Sequence, residues 1–228
     1  MRVRKFWSTV VLVALCAVLS HAAALATCDC DTVKVPATQP SDIDIQTGIA
    51  FTHTAKYRQQ FSAATKAARA FCQRYKAEHP NERNIAVVSD IDETILDNRE
   101  ELSKPKFDWD QFPAWIAQAK APVLKDTYEF LRWARKNGFA IMLVTGRSEH
   151  DRVGTVENLV RDDVQYDALY MRPNGEEGAA EIYKASVRKS LQDAGFKVIV
   201  SIGDQYSDLA GGHALDCEKL PNKMYFIP

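Results

Sequence analysis

A chain of 228 residues that is 46% hydrophobic and 26% charged can bury one substantial core, so a single globular domain with a small appendage is expected. Its formal net charge of -1, with no basic cluster in the later chain, excludes any general attraction to nucleic acid polymers.

The first residues read as an address. Arg2, Arg4 and Lys5 precede an apolar stretch from Phe6 to Leu19, and Ala24, Leu25 and Ala26 supply the small-x-small pattern of a signal cleavage site. A signal peptide is therefore expected over residues 1–26 and one mature domain over residues 27–228, secreted or periplasmic, with no stable membrane association after cleavage. Lipidation of Cys28 is disfavoured because Thr27 stands where a smaller residue is usual. Cys16 leaves with the signal, so Cys28, Cys30, Cys72 and Cys217 remain. No C-x-x-C pair and no suitably spaced histidines accompany them, which points to structural thiols or a disulfide among the four rather than to zinc.

Pro36 and Pro40 mark an extended leader. Ser41 and Asp42 can cap a helix, and Ala50, Thr54, Tyr57, Phe61, Ala64, Ala68, Phe71 and Tyr75 recur in steps of four and three, predicting one long amphipathic helix ended by His79 and Pro80. Such a stripe packs on its own sheet or forms a dimer seam, which leaves a homo-oligomer open.

Ile85 to Val88 is a short apolar run of the kind buried inside a parallel sheet, and Asp90, Asp92 and Glu93 follow it at once. Carboxylates at the carboxyl end of a buried strand are costly unless a cation or hydrogen bonds hold them, and that end is where open α/β sheets bind ligands. In an extended segment Asp90 and Asp92 point the same way and Thr94 continues that side. A calcium loop is a rival for Asp90, Asp92, Thr94 and Glu101, but Ile95 stands where that loop needs glycine.

Residues 98–122 form a small helical cap insertion in which Phe107, Trp109, Phe112 and Trp115 either fill a satellite core or offer rings to a substrate. The remainder alternates: helix from Val123 to Lys136, strand from Ala140 to Val144, helix from His150 to Arg161, strand from Ala168 to Met171, helix from Ala179 to Asp193, strand from Val198 to Ile202, and an edge strand from Met224 to Ile227. The fold class expected is α/β: a Rossmann-like three-layer parallel sheet with helices on both faces.

Two later strand ends carry chemistry. After Val144 come Thr145, Gly146 and Arg147, a hydroxyl and backbone N–H groups able to hold phosphate oxygens. After Ile202 come Gly203, which lets the backbone turn tightly, and Asp204, which could complete an oxygen-ligand site for a hard cation with Asp90. Lys184, between those strands, is the candidate fixed positive charge.

In this order the motifs DIDET at Asp90, TGR at Thr145, YKASVR with Lys184 and Arg188, and GDQYSD at Gly203 resemble those of the haloacid dehalogenase-like (HAD) phosphatases. DIDETILDN, LVTGR, IYKASVR, SIGDQYSDLAGG and YFIP resemble the branch of secreted acid phosphatases that includes bacterial non-specific acid phosphatases, periplasmic nucleotidases and plant vegetative storage proteins. The resemblance implies a phosphoric monoester hydrolase, acting among others on nucleoside monophosphates. Asp90 would be its nucleophile and Asp92 its general acid and base. Thr145, Gly146 and Lys184 would hold the phosphate. Mg2+ would sit on Asp90, the Asp92 carbonyl and Asp204, with Asp208, Thr94 and Arg188 in support. The alternatives are a phosphotransferase using the same aspartyl phosphate and a non-catalytic storage or binding protein.

Overall fold

The computed structural model describes residues 30–227, so the signal segment, its cleavage point and Cys28 lie outside the described residues. Among the described residues no helix is long and apolar enough to cross a membrane. The elements in chain order are α1 (Ile45–Thr52), α2 (Ala55–Glu78), β1 (Ile85–Ser89), α3 (Arg99–Leu102), α4 (Phe112–Ile116), α5 (Lys125–Lys136), β2 (Ala140–Ser148), α6 (Arg152–Arg161), β3 (Ala168–Arg172), α7 (Ala180–Asp193), β4 (Lys197–Gly203) and β5 (Asp216–Lys219).

The strands form one wholly parallel sheet in the order β3-β2-β1-β4-β5, with β1 at its centre. Every residue of β1 is buried, as its unbroken apolar run requires. Ile85 and Val87 face one core, shared with Phe61, Ala68 and Cys72 of α2 and Phe130, Leu131 and Ala134 of α5. Ala86 and Val88 face the other, shared with Tyr183, Val187 and Leu191 of α7. Helices thus cover both faces, and the chain leaves β1 towards β2 on one side and returns to it through β4 on the other. The crevice at that reversal, outside the carboxyl ends of β1 and β4, is where an open α/β sheet receives its ligand.

Two expected elements differ. The single long helix is two: Asp44, not Ser41 or Asp42, caps α1, its side chain accepting from the Thr47 N–H at 2.9 Å, and a break at His53 and Thr54 starts α2 anew. Thr54 is not a core position but the cap of α2; its Oγ1 accepts from the Tyr57 N–H at 3.1 Å, a local bond that competes with the helical ladder. The edge strand is β5, not Met224–Ile227. The acidic sequence DCEK carries little intrinsic strand preference, but its backbone finds β4 as a parallel partner. The segment from Asn222 to Ile227 instead runs across the mouth of the crevice. It is anchored by the Asp44 N–H donating to the Lys223 carbonyl at 3.0 Å and by Gly48, where an added Cβ would lie 2.4 Å from the Met224 nitrogen.

Cys30 and Cys217 are buried in one small cluster with Leu209, and Cys72 lies in the main core, where burial pushes its thiol pKa up.

Candidate active site

The carboxyl ends of β1, β2 and β4 surround a cavity of about 360 Å³ whose walls include Asp90, Asp92, Gly146, Arg147, Lys184 and Asp204. Asp90 stands one residue past β1 and its N–H still donates to the Ile202 carbonyl of β4 at 3.0 Å, which fixes the nucleophile candidate to the sheet. Its Oδ1 accepts from Lys184 Nζ at 2.7 Å, and the same ammonium donates to Asp208. Burial pushes the Asp90 carboxyl well above the ordinary carboxylate range, with Lys184 opposing and Asp208 and Asp204 adding to the rise. Burial lowers the pKa of Lys184, but Asp208 and Asp90 outweigh it and hold the ammonium charged.

Asp92 lies across the cavity from Lys184's partners and makes a different set of bonds. Arg147, whose side chain is 3% exposed, donates to both of its oxygens at 2.6 to 3.1 Å and to Thr155 Oγ1 at 3.0 Å. Asn98 Nδ2 donates to Asp92 Oδ1 at 2.8 Å, and Trp115 Nε1 donates to Asn98 Oδ1 at 2.9 Å. Trp115 is therefore a buried structural ring, 2% exposed, whereas Trp109 and Phe112 line the cavity. The backbone between the two aspartates and Asn98 is tightly turned. Glu93 adopts φ 50°, a left-handed conformation held because its carboxylate accepts from the Asn98 N–H at 2.8 Å and from the Tyr225 hydroxyl. Burial, then the charge of Asp92, raises the Glu93 carboxyl pKa.

On β2 the register runs from Val144 opposite Tyr170 to Ser148 opposite Arg172, so Thr145, Gly146 and Arg147 contain extra residues that bulge towards the cavity. Gly146 reaches the wall. Thr145 is fully buried beneath it, its Oγ1 accepting from the Arg147 N–H at 3.1 Å.

At the end of β4, Gly203 is required by space rather than by a turn: a Cβ there would lie 2.2 Å from Asp208 Oδ2. Asp208 folds back over it and accepts from the Gln205 N–H at 2.7 Å. Asp204 accepts through Oδ2 from Gln205 Nε2 and Asn222 Nδ2, each at 2.6 Å, and through Oδ1 from Thr94 Oγ1 at 3.3 Å. Arg188, fully buried, donates to the carbonyls of Asp208, Ala210 and Gly212 and so staples this loop to α7.

Among the described residues one cluster could hold a metal ion: Asp90, Asp204 and Asp208, with candidate ligand oxygens all within 4.8 Å of one another. Asp92 does not contribute its carboxylate to this cluster, because Arg147 and Asn98 have turned it away; only its carbonyl could take part. The donor set fits a hard divalent cation. Three buried carboxylates meet there: Lys184 pairs with Asp90 and Asp208 but not with Asp204, Lys219 approaches the Asp204 main-chain carbonyl, and burial and Asp208 raise the Asp204 pKa to about 6 although Lys219 opposes them.

Sequence reasoning missed the second functions of Arg147 and Asn98 and the presence of Gln205, Asn222 and Tyr225. Arg147 follows the Thr-Gly pair directly and Asn98 closes the DIDETILDN run, so both were within reach of a local reading. Nothing near Asn222 or Tyr225 signals a partner more than a hundred residues away for Tyr225, or a buried carboxylate for Asn222.

Comparison with known proteins gives the family and the shared fold. The family model described as HAD superfamily, subfamily IIIB (acid phosphatase), matches residues 15–228. Acid phosphatase 1 of Solanum lycopersicum is 35% identical over 148 residues, covering 61% of this chain and 58% of that protein, so the chain spans less than two thirds of that relative. The stem 28 kDa glycoprotein of Glycine max is 28% identical over 78% of this chain and 72% of its own length. Vegetative storage protein 1 of Arabidopsis thaliana is 27% identical over 62% of this chain and 55% of its own length. The fold is shared with the class C acid phosphatase from Bacillus anthracis, solved with tungstate bound, at a TM-score of 0.62 and 20% identity, over 79% of this chain and 84% of that one.

Proposed function

The chain belongs to the HAD superfamily, subfamily IIIB (acid phosphatase), and from that premise we propose that it is an exported phosphomonoesterase working through a phosphorylated Asp90. The observation that carries the reading is the pair formed by Lys184 with Asp90 at the tip of the central strand, facing Asp92 across one cavity. A carboxylate nucleophile and an anionic ester repel each other, so attack needs positive charge on both; Lys184 supplies it at Asp90 and Asp208 keeps that ammonium protonated. Gly146 offers backbone to the phosphoryl oxygens. Asp92, held in place by Asn98 and Arg147, protonates the departing alcohol and then takes a proton from the water that opens the acyl phosphate. A divalent cation on Asp90, Asp204 and Asp208, for which magnesium suits the all-oxygen donors, would screen the charge of the phosphate. The exposed aromatic edge, Trp109 at 5.2 Å from Tyr225, supports nucleoside monophosphates as substrates. Export rests on the basic and apolar N-terminal sequence.

Asp90→Asn and Asp92→Asn test the assignment, with substrate labelled in its phosphate and the protein quenched in acid. Asp90→Asn is expected to abolish turnover and retain no label. Asp92→Asn keeps the nucleophile, so its loss should be severe for alkyl phosphates and milder for p-nitrophenyl phosphate, general acid help being typically worth about 10² to 10⁴ in rate. Label retained by Asp90→Asn would move the nucleophile to another residue. Transfer of label to glycerol, measured alongside, separates hydrolysis from phosphotransfer.

A further inference from the structure

Three basic side chains line the cavity, and two of them are spoken for. Arg147 is bound by Asp92, and Lys184 by Asp90 and Asp208. The third is Arg172, the last residue of β3. Its Nη2 donates to the Gly178 carbonyl, its Nε is buried with no acceptor, and among the described residues no carboxylate lies within ion-pair range of it. A buried donor left without a partner is destabilising, and more so when the group is charged. With Nε enclosed and Nη2 held by Gly178, the remaining Nη1, which makes no hydrogen bond among the described residues, is the end of this guanidinium that can receive a ligand oxyanion.

The strand register says which oxyanion. Arg172 lies opposite Ser148, beyond the bulge of Thr145 to Arg147, so it stands further out along the strands than the Gly146 backbone and Lys184, which face the reacting phosphate. We propose that Arg172 is a second anion-binding point, and that the preferred substrates are phosphate monoesters whose alcohol carries a further anionic group, a carboxylate or a second phosphate. This rests on the phosphomonoesterase reading for its chemistry but not for its binding geometry. Asp151 also borders the cavity, and Glu176 and Glu177 follow on the next loop; none of them forms an ion pair with Arg172, so a substrate anion meets no internal competitor there.

The test is direct binding of non-hydrolysable analogues by isothermal titration calorimetry, phosphonoacetate against ethylphosphonate, followed by the KM ratio for phosphoglycolate against ethyl phosphate and for a nucleoside bisphosphate against its monophosphate. In the wild-type protein the analogue with the extra anion should bind about tenfold more tightly. Arg172→Gln should remove that preference and Arg172→Lys should restore part of it. The carboxylate and bisphosphate pairs show which oxyanion is read. Equal affinity for the two phosphonates in the wild type would overturn the proposal, and this needs no variant to fold. An equal loss on both members of each pair in Arg172→Gln would also overturn it, since Arg172 would then be contacting the reacting phosphate. If the phosphonates are discriminated but no ester is hydrolysed, the second anion site stands and the phosphomonoesterase reading fails.

Discussion

Replacing Asp204 by Asn sets stability against metal binding. Burial and the neighbouring Asp208 raise the Asp204 carboxyl from 3.8 to about 6, despite the charge of Lys219 and the amide donors Asn222 and Gln205 on its Oδ2. A carboxyl with a raised folded pKa makes the folded state bind more protons than the unfolded one. The stability it contributes is complete below 3.8 and is lost as pH rises through that value to about 6. A rise of roughly two units corresponds to about 3 kcal/mol by pH 7, which Asn, resembling the protonated acid, does not lose. For a domain of this size the metal-free Asp204→Asn protein should therefore melt about 6–12 °C higher than the metal-free wild type near neutral pH. The difference should vanish below about pH 4, where both side chains are neutral. Adding magnesium should reverse the order, because binding to the folded state stabilises only the protein that keeps its ligands. The assay is a thermal melt with chelator and with magnesium across that pH range. An Asn variant that is less stable than wild type without metal, or that gains as much from magnesium, would refute the reasoning.

Trp115→Phe removes the indole N–H from Asn98 Oδ1 and leaves that acceptor buried and unpaired, so the urea midpoint should fall by the equivalent of about 1–3 kcal/mol with an unchanged slope; no shift would mean that the bond to Asn98 carries no stability. If Trp109 stacks on a nucleobase, Trp109→Ala should raise KM for nucleoside monophosphates by about fivefold or more, stacking being worth about 1–3 kcal/mol per base, with a smaller effect on glycerol phosphate. Equal changes for both esters would assign the ring to packing alone.

The sequence by itself determined what depends on near neighbours. The apolar run Ile85 to Val88, the alternating strands and helices after Val123 and the polar residues at strand ends are all local, and each strand was found within a few residues of its expected place except the last. The parallel sheet followed from that alternation, and the acids at Asp90 and Asp204 came together because adjacent parallel strands bring their carboxyl ends to one edge. Where a side chain has two local uses, the pattern was ambiguous: Thr54 fits a helical stripe and a helix cap equally, and only the bend between α1 and α2 shows which holds. Tertiary structure alone decided the rest. Whether Met224–Ile227 pairs with a strand or crosses the cavity depends on Gly48, Asp44 and Glu93, which lie far away in the chain. That Asp92 is held by Arg147 while Asp208 joins Asp90 and Asp204 depends on which charges burial forces into contact. Composition counts those charges, but a buried charge takes whichever partner the fold brings within reach, and that is a property of the packed molecule.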